Sequence, residues 1–107
     1  MSRIASVIAD STTTPEVLVW PPKGPDEELD FILDWSSRLD EGDSIVEAVW
    51  TYAFTDNFVT GQSFTGDTTL VWLANGEVDR TYVLHCQVTT DNDRVLEQTV
   101  NVTVRAR

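Results

Sequence analysis

VLVWPPKGPDEELDFILDWSSRLDEGDSIVEAVWT, at residues 17–51, is the stretch of sequence that decides the fold. It holds three of the four tryptophans and three of the four prolines in the chain. From Leu29 to Trp35 an apolar side chain recurs at every second position, while Asp30 and Asp34 fall on the opposite face. A period of two with one apolar face is typical of a half-buried β-strand, so this stretch predicts a strand that covers a core.

Short strands are predicted along the rest of the chain. Runs of β-branched and alternating apolar residues predict strands over residues 45–53, 68–73, 81–90 and 96–105. Residues 55–66 are rich in Gly, Asn, Thr and Ser, which indicates loops around short strand pieces, and Phe58 and Phe64 within them are expected in the core. About seven closely spaced strands without a long helical period predict an all-β fold, a sandwich of antiparallel sheets.

Two features favour an immunoglobulin-like arrangement of these strands. Leu84 follows Tyr82 by two residues, which is the position of the second disulfide cysteine in antibody domains. Trp50 suits the tryptophan that such domains bury on their third strand. Because Cys86 is the only cysteine, the predicted sandwich has no intrachain disulfide and depends on packing and hydrogen bonds.

The chain length of 107 residues suits one domain preceded by a short extension. We predict an extended N-terminal arm at residues 1–16 and a single immunoglobulin-like sandwich domain at residues 17–107. The arm contains a run of threonines that ends at a proline, which favours extended backbone. Its apolar residues Ile4, Val7 and Ile8 would let it order on a neighbouring subunit, and a frayed terminus is the alternative.

The charge of the chain argues against two classes of partner. Eighteen acidic and seven basic residues give a net charge of −11. Nucleic acids and anionic lipid surfaces attract clustered Lys and Arg, so neither nucleic acid nor a membrane is an expected partner. The mainly apolar segment at residues 4–9 ends at Asp10, too early for a signal peptide, which predicts synthesis in the cytoplasm.

Residues that carry enzyme chemistry are sparse in this sequence. The acidic turns at residues 40–43 and 91–93 are too short to supply the oxygen ligands of a calcium site by themselves. His85 is expected on the outer side of a strand and Cys86 on the inner side. The sequence has neither a nucleophile elbow nor a glycine-rich phosphate loop. These features predict a protein without catalytic residues, metal ions or cofactors.

The tetrapeptide at residues 20–23, hereafter the entry segment, is the clearest candidate for binding a partner. Each proline fixes its own φ and restricts the residue before it, so the segment is rigid and loses little entropy when it orders on another protein. The alternative is that it brackets the first strand and covers a sheet edge, and one segment can do both. The predicted partner-binding residues are Trp20, Pro21, Pro22 and Lys23, together with Ile4, Val7 and Ile8 of the arm.

Motifs from residue 20 onward resemble those of a group of small tailed-bacteriophage virion proteins. The opening W-P-P-K-x-P-D-E-x-L-D-(aromatic)-x-x-D-W-S of that group is matched at residues 20–36. Later matches are Gly42-Asp43-x-Ile45, Val71-Trp72-Leu73, Tyr82-x-Leu84, Val88-Thr89-Thr90 and Val104-Arg105-x-Arg107. The resemblance covers residues 17–107 and departs in the turns at 75–80 and 91–94, where the family is richer in glycine.

Proteins of this group are described as fibre–tail adaptor or tail accessory proteins. The resemblance implies a non-enzymatic structural component of the virion tail, a symmetric homo-oligomer that binds other virion proteins and links fibres or spikes to the tail. A capsid decoration protein is the first alternative, because many of these are also small sandwiches with arms. A carbohydrate-binding module is the second, with Trp20, Trp35 and Trp72 as candidates for stacking on sugar rings.

Overall fold

The computed structural model describes residues 4–6, 17–54 and 57–106, and these residues contain eight β-strands. Two of the strands are short and six are longer. Their bounds are β1 Ile4–Ser6, β2 Leu18–Val19, β3 Leu29–Asp34, β4 Ile45–Thr51, β5 Val59–Phe64, β6 Thr68–Leu73, β7 Thr81–Thr90 and β8 Val95–Thr103. None of the described residues belongs to a helix of the length and hydrophobicity that crossing a membrane requires.

The strands form two four-stranded sheets that face each other. The first sheet has the order β1-β3-β6-β5 and the second has the order β2-β8-β7-β4. All pairings between the longer strands are antiparallel, and the short β1 and β2 join β3 and β8 in parallel. If β1 and β2 are counted as one strand A divided between the sheets, the orders become A-B-E-D and A-G-F-C. This is the arrangement of immunoglobulin-like domains, so the predicted fold class is confirmed.

Alternation along the strands builds the core between the sheets. Phe31 and Leu33 of β3, and Trp35 directly after it, are fully buried, as the period of two predicts. The even-numbered residues 82–88 of β7 are fully buried on the opposite side of the core. Trp50 lies buried on β4, which corresponds to strand C, as predicted for the immunoglobulin-like tryptophan. The hydrophobic pattern of the sequence therefore determines which face of each sheet points inward.

A buried polar group connects the two sheets across the core. Thr69 of β6 is fully buried, and its Oγ1 accepts hydrogen bonds from Trp35 Nε1 at 3.0 Å and from the thiol of Cys86 at 3.8 Å. Burial raises the pKa of the Cys86 thiol from 9.0 to about 12, and the contact with Thr69 opposes this shift only in part. Cys86 is therefore a neutral core residue, in agreement with its predicted inward position.

The turn between β6 and β7 closes one end of the sandwich. The hydroxyl of Tyr82 accepts a hydrogen bond from the backbone N–H of Glu77 at 3.0 Å, which is the tyrosine corner of immunoglobulin-like domains. The ring of Phe58 stacks on that of Tyr82 with the centroids 3.8 Å apart. Gly76 has a φ of 102°, and a Cβ there would lie 2.6 Å from Cγ2 of Val104. Only glycine fits this turn without rearrangement.

The region around β5 differs from the sequence expectation. Residues 59–64 form one six-residue strand rather than loops around short pieces. Phe58 is fully buried as expected, but Phe64 is 44% exposed and lies outside the core. Because β5 is the last of the described strands in its sheet, no described strand flanks Phe64 on its outer side. The position of a strand within a sheet, which local sequence does not reveal, decides this difference.

Candidate docking surfaces

The entry segment alternates between the core and the surface. Trp20 is 2% exposed, and its ring centroid lies 4.8 Å from that of Phe31 and 6.0 Å from that of Trp50. Its backbone N–H donates to a carbonyl of β8 at 3.0 Å, which attaches the segment to the second sheet. Pro21 and Pro22 are exposed. Trp20 therefore stabilises the core, and the two prolines are the part of the segment that a partner can reach.

Lys23 is fully buried, which is rare for a lysine. Its Nζ donates hydrogen bonds to the carbonyl oxygens of Gly24 and Asn75, both at 2.6 Å. Burial lowers the pKa of Lys23 below the ordinary value of 10.5, and the negative charges of Glu27 and Asp26 oppose the shift. The side chain thus joins the entry segment to the turn between β6 and β7 from inside the protein.

The remaining predicted partner-binding residues belong to the N-terminal arm. Ile4 is the first residue of β1, and residues 4–6 pair with residues 32–34 of β3 in a parallel register. Val7 and Ile8 lie outside the described residues. Partner binding by the arm and by the entry segment, and the division into an arm at 1–16 and a domain at 17–107, therefore stay predictions.

The groups considered for enzyme chemistry are engaged in structural contacts. His85 lies on the outer side of β7, where its ring nitrogens are 3.3 Å from Thr99 Oγ1 and 3.2 Å from Glu97 Oε1. Across residues 4–6, 17–54 and 57–106, no three His, Cys, Asp or Glu side chains come together as a metal site would require.

One end of the sandwich concentrates negative charge. The loops at residues 35–44, 65–67 and 91–94, hereafter the acidic end, contain six acidic residues and two arginines. The backbone N–H of Trp35 donates to the carbonyl of Asp67 at 2.8 Å, and that of Asp91 donates to the carbonyl of Ser44 at 2.8 Å. These bonds hold the three loops together, so the acidic end is a fixed surface that suits a basic partner.

Asp43 shows how firmly the acidic end is organised. Its Oδ1 accepts from the backbone N–H groups of Ser44 at 2.9 Å and Asn92 at 3.1 Å, which connects two of the loops. Partial burial raises the pKa of Asp43. This effect is outweighed by hydrogen bonds, of which the bond to the Thr90 side chain is the most important, and by the charge of Arg94, all of which lower the pKa. The net result is a pKa below the ordinary 3.8, so the carboxylate stays ionised and keeps these bonds at neutral pH.

The outward face of the second sheet has a different composition. Most of its side chains are the β-branched ones of valine and threonine, and few are charged. Four valines on this face are between 45% and 73% exposed. We name this surface the valine face; its residues are Val19, Glu47, Val49, Thr51, Thr81, Val83, His85, Gln87, Thr89, Val95, Glu97, Thr99, Asn101 and Thr103. Alternation in the sequence placed Val83, His85, Gln87 and Thr89 of β7 on one face, but it did not single out this surface as a candidate site.

The outward face of the first sheet carries the fourth tryptophan. Trp72 is partly exposed between Asp30 of β3 and Gly61 of β5, and a Cβ on Gly61 would lie 3.5 Å from its Cδ1. Trp72 thereby covers the glycine of the edge strand. Of the three tryptophans that the carbohydrate-binding alternative considered for sugar stacking, Trp20 and Trp35 lie in the core, where they cannot stack on a sugar ring. Their inward positions follow from the alternation that builds the core.

Comparisons with known proteins identify a matching family and similar solved structures. The sequence model of the family described as "Podophage GP4 fiber-tail adaptor protein gp77" matches residues 23–103. No curated protein matches the sequence. The solution structure of the PKD domain from KIAA 1837 protein is similar with a TM-score of 0.47 and 20% sequence identity, and the match covers 92% of this chain and 93% of that chain.

Proposed function

This chain belongs to the podophage GP4 fiber-tail adaptor gp77 family, and we propose from this membership that it is a non-enzymatic structural protein of a phage virion, which links fibres or spikes to the tail. The match over residues 23–103 is the observation that carries the proposal, because it covers most of the sandwich. A fold of this kind serves many functions, so the architecture alone would not support the assignment.

An adaptor has to contact several neighbours at the same time, copies of its own chain among them, and the described surfaces suit that task. The acidic end and the valine face differ in charge and in side-chain character, so they would recognise different partners. The hydrogen bonds between the loops and the closely packed core make the sandwich a rigid spacer between those partners. Rigidity favours an adaptor because less conformational entropy is lost on binding.

Further details of the proposal concern the arm, the entry segment and the assembly. The arm, with Ile4, Val7 and Ile8, docks onto a neighbouring virion protein, and the exposed Pro21 and Pro22 contribute to that contact. The protein is made in the host cytoplasm and then joins the tail as a symmetric homo-oligomer. Because the charge of −11 disfavours contact with DNA, an outward position on the tail is the expected location.

The copy number of the chain in purified virions tests this proposal. Quantitative mass spectrometry against the major capsid and tail proteins would give the number of copies per particle. A number that matches the small rings of the tail is expected for an adaptor. Parity with the capsid subunit would indicate a decoration protein instead, and absence from the particle would overturn the structural role.

Removal of residues 1–16 tests the docking role of the arm. Because this deletion also removes β1, circular dichroism and thermal unfolding of the truncated chain have to show that the sandwich still folds. We expect the truncated chain to fold and to be lost from virions. Incorporation at the wild-type level would show that the arm is dispensable for docking.

A further inference from the structure

We propose that the valine face is the surface through which two copies of this chain contact each other. The face spans the second sheet from β2 at one edge to β4 at the other. Val19 lies in register with Asn101, which in turn lies in register with Val83, so residues of three neighbouring strands, two of them valines, belong to one continuous surface. The proposal concerns the purified chain and does not depend on the role in the virion.

The side chains of the valine face suit a contact between rigid surfaces. Four of its 14 residues are valine and five are threonine, and both types have few rotamers. Such side chains lose little conformational entropy when a partner covers them. The entropy loss therefore offsets less of the free energy gained by apolar burial than it would on a surface of Lys or Glu. Of the ten large hydrophobic residues that are exposed in the described part of the chain, four lie on this one face. Concentration of exposed apolar residues on one face is typical of an interaction site.

The charge distribution favours a second copy over a different protein as the occupant. Two chains that each carry a charge of −11 repel each other, and the repulsion is smallest where the facing surfaces hold the fewest acids. The charged residues on the strands of the valine face are Glu47 and Glu97, and Glu97 contacts His85 of its own chain. A basic partner would bind the acidic end instead. The valine face is therefore where like-charged copies can meet.

The size of the face predicts a weak contact in dilute solution. The ten residues of β7 extend roughly 33 Å, and four strands span roughly 14 Å between their axes, which gives a planar footprint of roughly 450 Å². A standard interface buries about 800 Å² of accessible surface on each partner. Pairing should thus require a high protein concentration, or the high local concentration of an assembled particle.

Sedimentation velocity of the purified full-length chain, over a series of protein and salt concentrations, tests the proposal. Self-association should increase with protein concentration, and it should also increase with salt, because salt screens the repulsion between two acidic copies. Val83→Glu should lower the association constant about tenfold or more, since it places carboxylates against each other in the contact. A chain that is monomeric at every concentration, or association that weakens with salt, would overturn the proposal.

Two further variants separate a local effect from a change of net charge. Val78→Glu makes the same substitution at another exposed valine, outside the valine face, and should leave self-association at the wild-type level. Val83→Lys makes the net charge less negative but still places a charged side chain in the apolar contact, where it loses hydration, so it should weaken association as Val83→Glu does. Thermal unfolding of each variant confirms that it folds. Equal effects of Val83→Glu and Val78→Glu would contradict the proposal.

Discussion

Val19 and Trp20 are neighbours in the chain, yet they belong to two different surfaces of the protein. Val19 is 73% exposed on the valine face, whereas Trp20 is 2% exposed between the sheets. The same backbone segment therefore contributes to the stability of the sandwich with one residue and to its outer surface with the next. The inward residues of the entry segment should therefore affect unfolding, and the residues of the valine face should affect association.

Trp20→Ala should have the largest effect on stability. Removal of a buried indole that packs against Phe31 and Trp50 leaves a cavity, and such substitutions lower the free energy of unfolding by about 3–5 kcal/mol. Urea denaturation followed by circular dichroism measures this change. Val19→Ala is the control, and we expect it to change the free energy of unfolding by less than about 1 kcal/mol because Val19 is exposed. Similar losses for both variants would contradict the assignment of Trp20 to the core.

Lys23→Met should have the next largest effect. The substitution keeps most of the side-chain volume but removes the hydrogen bonds to Gly24 and Asn75, which should lower the free energy of unfolding by about 1–3 kcal/mol. Denaturation at neutral pH measures the loss. A variant more stable than the wild type would show that the two bonds do not compensate for burying the charge.

The pH dependence of Lys23 gives a second readout. The pKa of Lys23 is lower in the folded state than in the unfolded state. At pH values between that lowered pKa and 10.5, Lys23 is therefore protonated to a greater extent in the unfolded chain. The free energy of unfolding of the wild type, relative to that of Lys23→Met, should therefore rise as the pH increases through this window. A difference that does not change with pH would mean that burial leaves the pKa of Lys23 unaltered.

Cys86 and Val83 both belong to β7 and point to opposite sides. Cys86 faces the core, and Val83 belongs to the valine face. With its pKa raised to about 12, the Cys86 thiol stays protonated in the folded chain while the unfolded thiol ionises above 9.0. Stability should thus fall as the pH rises above 9.0, by about 1 kcal/mol at about pH 10, and this loss should be absent in Cys86→Ala.

Thiol labelling provides the matching test of exposure. A thiol reagent should leave Cys86 of the native chain unmodified and react with it only after unfolding, because the residue is fully buried. In Val83→Cys the new thiol should react immediately in the native state. Rapid labelling of the wild type would show that the core around Cys86 opens readily.

The sequence predicts the inner surfaces of this protein well, and the reason is local. The burial of Phe31, Leu33 and Trp35 follows from a period of two that is visible within residues 29–35 alone. The burial of Lys23 depends on a carbonyl 52 residues further along the chain, which no local pattern indicates. Local reasoning accordingly assigned an inward lysine to a docking surface.

The valine face was not predicted because it is formed by strands that are distant in sequence. Val19 and Val83 come together only through β8, which pairs with both of their strands. Alternation shows that each residue points outward, but it does not show which strands become neighbours. Similarly, Phe64 is exposed because β5 is an edge strand. Strand order, which depends on long-range pairing, is the information that local patterns lack.

Replacement of both Pro21 and Pro22 by alanine should affect stability less than the substitutions at Trp20 and Lys23, and it addresses the outward half of the entry segment. Both side chains are exposed, so their loss acts mainly through the entropy of the unfolded chain and should lower the free energy of unfolding by about 0.4–1 kcal/mol per proline. If these prolines bind a neighbouring virion protein, incorporation into particles should fall while the purified variant remains folded. Incorporation at the wild-type level, measured by quantitative mass spectrometry, would instead show that the prolines only direct the chain between β2 and Lys23, and that docking depends on other surfaces.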